Sequence, residues 1–402
     1  MKLHFVFVFA LFTSMVFPQK KIEVKDSLRP YIDFLQKQQF PTAKDYILQR
    51  FDTYDIVVFS ERHHQDIGQY ELILDIVKDE RFQGNLYTEV GVFNSYENIN
   101  QFLFNSELNP EEKIEELNRI YRDLDYTELW GNYNYYYLLS ELFEFNKNRR
   151  DEDKIMVFPL DLMFDWDDFE NHSQYKLFED YAENSVVDRN TIMGNHFVAS
   201  YDFAKQRNPK RSKALVIENT YHGYIRIPKY LPHPTQPDIY STGEYIYKTF
   251  PGKTTNVYIN YFKSEEMGNL SNNGLFDASF EFSNIDNIGF DLKNTPFGNA
   301  KFDLYNFGGT DYEEANFDYI FDGMVYFHPV YAMELATGIP DIYPKEHEKD
   351  FFKRLSIIDG ISYEESVREN SEYLKEINEK QVQKLNDSII LKIHNQINQW
   401  KK

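Results

Sequence analysis

The feature that most constrains the fold is an alternation along the chain. Short apolar runs of strand length recur, each followed by residues at helical spacing. Ile56-Val57-Val58-Phe59 is the first run, and the stretch from Gln65 to Lys78 then sets Ile67, Tyr70, Ile73, Leu74 and Val77 on one helical face. Leu86 to Val90, Ile155 to Phe158, Ala214 to Ile217 and Asn256 to Ile259 are further runs, and a sixth passes through Tyr319 to Phe327. Runs that are apolar without interruption are buried on both faces, which is the condition of parallel strands covered by helices. The pattern therefore predicts an α/β fold, with a mostly parallel central sheet flanked by helices.

Helix starts support this reading. Thr42 can cap the helix through Ile47, Leu48 and Phe51, and Asn109-Pro110-Glu111 combines a cap, a first-turn proline and an acid. Ser241 with Glu244, and Ser362 with Glu365, have the spacing of capping boxes. Three stretches fall outside the alternation. Residues 94–150 read as a helical insertion of two or three helices, rich in tyrosine, either a lid over the sheet edge or a packing element. Ser264 to Asp318, rich in Asn, Gly and Phe, read as loops and short strands. Ser362 to Trp400 read as a long C-terminal helix, whose stripe Val382, Leu385, Ile389, Ile393 and Ile397 packs on its own domain or forms a homodimer.

At the N-terminus Lys2 precedes an apolar run from Leu3 to Phe17, shorter than the about 20 residues a membrane span needs. A basic start and a short apolar core read as a secretory signal peptide over residues 1–19. The domain division expected is then 1–19 signal, 20–345 α/β domain containing the insertion at 94–150, and 346–402 helical extension. The mature chain is expected to be exported, periplasmic or secreted, without stable membrane insertion. Lys and Arg number 43 against 65 Asp and Glu, a formal charge of −22, which argues against a nucleic-acid partner. The chain has no cysteine, so disulfides, thiolate metal sites and a Cys nucleophile are excluded, and any metal site must use His and carboxylate.

In open α/β sheets, ligands bind where the carboxyl ends of the strands converge. After the first strand come Glu61, Arg62, His63 and His64; Glu89 ends the second; Asp161 follows the third; Glu218, Asn219 and His222 follow the fourth; His328 follows the sixth. Glu61 and His64 are three apart, so one turn sets them on one side, as suits a carboxylate orienting an imidazole base or both holding a metal ion. A carboxylate in a strand buried on both faces, as at Glu89, needs a partner. Arg189, at the start of a helical stretch reaching Lys205, could pair with Glu61 or Glu89, hold a substrate carboxylate or stabilise an oxyanion. Arg62, His63, Asp161 and Asn219 are the flanking substrate-binding candidates. No Gly-x-Ser-x-Gly elbow, Walker loop or His-Glu-x-x-His motif is present.

The run Val57 to His64 resembles the strand and Gly-Glu-x-x-His opening of the erythromycin esterase-like superfamily, which includes ChaN-like haem-uptake proteins and Tiki-type metalloproteases. Glu89, Arg189 to Met193, Asn219 to His222 and Phe321 to Tyr326 resemble its later motifs in order, so that the likeness spans roughly residues 45–335. The resemblance implies hydrolysis of an ester-like bond in a small-molecule substrate, with His64 as general base helped by Glu61, and Glu89, Arg189 and His222 completing the site. Its ChaN-like branch implies instead a haem or a divalent metal ion, with Glu61, His64 and His222 as the ligand candidates. Ser60 replaces the family glycine, Asn190 an aspartate and Asn219 the first histidine of a pair, departures that weaken a two-histidine metal site and point to a third reading, a catalytically silent member.

Overall fold

The computed structural model describes residues 23–184, 186–227, 241–264, 268–304 and 315–402; the expected signal peptide lies outside them. The central sheet has seven strands: β1 (Ile56–Glu61), β2 (Gly84–Val92), β3 (Val157–Asp161), β4 (Lys213–Asn219), β5 (Thr254–Ile259), β6 (Ile288–Asp291) and β7 (Gly323–Tyr326). Their order across the sheet is β3-β2-β4-β1-β5-β7-β6. All pairs are parallel except β6 with β7 at one edge. The expected α/β fold is the observed one.

Strand pleating explains why the apolar runs have no polar alternation. Val57 and Phe59 of β1 face one core, together with Leu86, Leu215, Ile217 and Val257. Ile56 and Val58 face the opposite core, with Tyr87, Ala214 and Val216. Both faces are dry, because helices cover both. The helices Ala43–Thr53 and Ile67–Val77 supply residues to the first core; Met193, Phe197 and Tyr201 of the helix Val186–Arg207 supply the second. Thr42 caps as expected, accepting from the Asp45 amide at 3.1 Å, and Asn109 with Glu112 forms a complete capping box.

The insertion is three helices, Tyr96–Phe104, Pro110–Arg122 and Tyr133–Lys147, and their apolar faces belong to the first core. They are packing elements of the domain. The connecting segment around Tyr126 and Trp130 stands near the strand ends, with the Trp130 ring edge-on to that of His64 at 5.1 Å.

Three local expectations require correction. The last apolar run is a short helix, Phe317–Ile320, followed by β7, because Asp322 leaves the core to accept from Arg226 and Thr255. The stretch read as loops and short strands also contains the helix Leu275–Ser283, which packs with the expected kind of short strand, β6, in a third, phenylalanine-rich core. The C-terminal stretch is not one helix: Tyr363–Ile377 and Asp387–Asn398 are separated by the strand Gln381–Lys384, which pairs antiparallel with Glu334–Thr337. The break turns Leu385, Ile393 and Ile397 into the third core while leaving Val382 53% exposed, so the stripe is divided between interior and surface. No helix among the described residues is long and apolar enough to cross a membrane.

Candidate functional site

Four adjacent strands bring charged groups to one edge of the sheet. Asp161 ends β3, Glu89 lies near the end of β2, Glu218 and Asn219 end β4, and Glu61 ends β1. Helix Val186–Arg207 brings Arg189 and Asn190 over this edge, and the turn after β4 brings His222.

The loop after β1 is folded back on its own strand by Gln69. Its amide nitrogen donates to Glu61 Oε1 at 3.2 Å and to the His63 carbonyl, while its oxygen accepts from the Arg62 amide at 2.7 Å. The Tyr70 hydroxyl also donates to Glu61 Oε1, at 2.9 Å. This leaves Glu61 Oε2 for His64, whose Nδ1 lies 2.5 Å away. Burial disfavours the charged ring, yet the Glu61 charge at this distance outweighs it, and His64 is pushed up to about 9. Its Nε2 lies 3.5 Å from the Asn219 side-chain amide.

The second half of the site is built on Glu89. Its Oε2 accepts from the Asn219 backbone amide at 2.7 Å, and its Oε1 lies 3.3 Å from His222 Nε2 and 3.7 Å from an Arg189 nitrogen. Burial works against the carboxylate, but the positive fields of His222, Arg189 and His64 prevail and hold it down at about 2. Arg189 is oriented by Asp161, donating to both carboxylate oxygens at 2.8 and 2.7 Å. Despite its burial, these acids keep Arg189 protonated well beyond its ordinary range. His222 is buried, with Nδ1 2.7 Å from Asn190 Oδ1. Thr242 donates to that oxygen through its backbone amide at 3.2 Å, so the atom facing the ring is an acceptor and His222 carries its proton on Nδ1. Burial lowers the basicity of His222, against the pull of Glu89.

Glu61, His64, Glu89, Arg189, Asp161, Asn219 and His222 are thus brought together. Arg62 is not: its side chain is 2% exposed and pairs with Asp66 at 2.5 Å inside the protein, with a further bond to the His328 carbonyl at 3.0 Å. A guanidinium so enclosed holds the loop and has no face for a substrate. His63 turns aside, its Nδ1 2.9 Å from the Gln65 amide and its ring near Tyr261. His328, two strands from β1, lies beside Asp286 at 3.6 Å and is separate from the site. Tyr70, Gln69 and Trp130 belong to the site's frame without having stood out as site residues; their spacing carries the signal of helix and loop packing, and only the fold brings them to Glu61 and His64.

The donor set does not suit a metal ion or haem. His64 Nδ1 is taken by Glu61, both His222 nitrogens face protein acceptors, and the Arg189 cation stands beside Glu89. Among the described residues no group of three or more His, Asp or Glu side chains could hold a metal ion.

No family model matches the chain, and no curated protein matches it. Among solved structures, a Bacillus cereus protein is 11% identical, with a TM-score of 0.43, over 74% of this chain and 96% of that one. A succinoglycan biosynthesis protein is also 11% identical, with a TM-score of 0.35, over 59% of this chain and 76% of that one. Likeness at this level carries no functional reading.

Proposed function

We propose that the chain is an exported hydrolase that cleaves an ester-like bond with water activated by His64. The observation that carries this reading is the Glu61–His64 pair at 2.5 Å, one ring nitrogen held by a buried carboxylate and the other turned toward Asn219. A carboxylate so placed sets the tautomer and orientation of an imidazole base.

In the reaction, His64 Nε2 takes a proton from water, and the hydroxide adds to the substrate carbonyl. Arg189, oriented by Asp161, places positive charge near the developing oxyanion, and His222 stands against Glu89 on the same side. Collapse of the tetrahedral species breaks the bond to the leaving oxygen, and the His64 imidazolium returns its proton there. The charged groups of the site are already paired with each other, so the site favours an uncharged ester over an anionic one. Export rests on Lys2 and the apolar run to Phe17.

The test is His64→Ala, assayed on a panel of generic esters with the chain from residue 20 onward. The expected loss in turnover is about 100-fold or more, with the fold intact by circular dichroism. An unchanged rate refutes the role.

A further inference from the structure

One acid at the sheet edge plays no part in this scheme. Glu218 follows Ile217 in β4, one residue beyond the last registered pair of Ile217 with Thr88 in β2, so that it neighbours Glu89. On its other side it is in register with Ser60 of β1. Both Glu218 and Ser60 are wholly buried, and neither Glu218 oxygen, nor the Ser60 hydroxyl, has a hydrogen-bond partner among the described residues. The cation nearest in influence, Arg189, is committed to Asp161 and Glu89. Ser60 stands where the resembling family has glycine, and a side chain at Gly223 would meet its hydroxyl at 2.9 Å.

We propose that Glu218 is a positioning residue for the Glu89–His222 pair: from the neighbouring strand it presents an undissociated carboxyl group, which leaves Glu89 as the one anion shared by the Asn219 amide, Arg189 and His222. The inference rests on the hydrolase reading for its consequence in turnover, but not for the state of the group.

The physical case is a comparison of two states. An ionised carboxylate, buried without a partner beside a second carboxylate, would cost more than a domain's whole margin of stability. An uncharged acid costs only the desolvation of its polar atoms, a far smaller penalty. Burial and the Glu89 charge both drive Glu218 far above the ordinary carboxylate range, with Arg189 opposing. Two carboxyl groups on adjacent strands are thereby divided at neutral pH, one ionised and one protonated, as when like charges share one site. A second anion at this place would compete for Arg189, draw the proton of His222, and oppose the negative charge that develops on the substrate.

Infrared difference spectroscopy of the wild-type chain against Glu218→Gln at pH 7 should show one protonated-carboxyl carbonyl band lost and no carboxylate bands lost. This readout needs no activity, so its failure is separable from failure of the hydrolase reading. Glu218→Leu, which removes the polar group, should lower kcat about tenfold with KM unchanged, and Glu218→Gln, uncharged and of the same shape, should recover most of that loss. Loss of carboxylate bands in the Gln variant would overturn the proposal. So would a Gln variant as slow as the Leu variant, which would mean that the proton itself is used, or a Leu variant at full rate, which would mean that the group positions nothing.

Discussion

Replacing Glu61 by Gln is the most informative single change, because it removes one charge while leaving an amide oxygen for the Tyr70 hydroxyl to reach. His64 is held at about 9 against an ordinary value of 6.5. At about 1.4 kcal/mol per tenfold change, that difference corresponds to about 3 kcal/mol in favour of the imidazolium, an upper figure because solvent reaches the ring and screens part of the interaction. Burial alone drives the ring the other way. Glu61→Gln should therefore bring His64 down to 6.5 or below. The assay is an NMR titration of the labelled histidine side chains, with His64 assigned from the signal missing in His64→Ala. The sign for stability follows. A raised folded value stabilises the protein fully below the unfolded value of 6.5, and that contribution fades as the pH rises through about 9. The destabilisation caused by Glu61→Gln should be largest in mild acid and vanish in alkali. A general base at His64 also makes kcat/KM of the wild type climb up to about pH 9, with that limb moving to lower pH in the variant. A wild-type His64 that titrates near 6.5, or one that Glu61→Gln leaves unmoved, would refute the reasoning.

Arg189→Lys should lower kcat/KM on the best ester by about tenfold or more, because an ammonium cannot keep both hydrogen bonds to Asp161 and stay beside Glu89; steady-state kinetics checks this, and an equal rate would remove Arg189 from the site. Arg62→Met strands the buried Asp66 carboxylate and should cost about 3–5 kcal/mol in urea unfolding, whereas a change below about 1 kcal/mol would mean that the pair is accessible to water.

Much of the architecture was legible in the residues. Ile56 to Phe59 or Ala214 to Ile217 can be buried on both faces only in a sheet covered by helices, so the class of fold follows from hydrophobic patterning that acts locally. The strand exits were legible for the same reason: polar residues that follow such runs emerge at one edge, which is why Glu61, His64, Glu89, Asp161, Asn219 and His222 could be named together. The C-terminal stripe shows where the reading ends. Its spacing fits a helix from Ser362 to Trp400, yet residues 381–384 gain more by pairing with the edge at Glu334–Thr337, a partner far away in the chain.

Charge state and pairing belong to the tertiary structure alone. Arg62 and Arg189 look alike along the chain, each a lone guanidinium among polar neighbours. One is sealed against Asp66 and the other is aimed by Asp161 at Glu89, because strand order decides which carboxylate each can reach. Glu89 and Glu218 are likewise the same residue type at the ends of neighbouring strands. Patterning, set by burial of apolar surface, is written in the order of residues; protonation is set by which charges and how much water surround each group, and only the assembled sheet edge determines that.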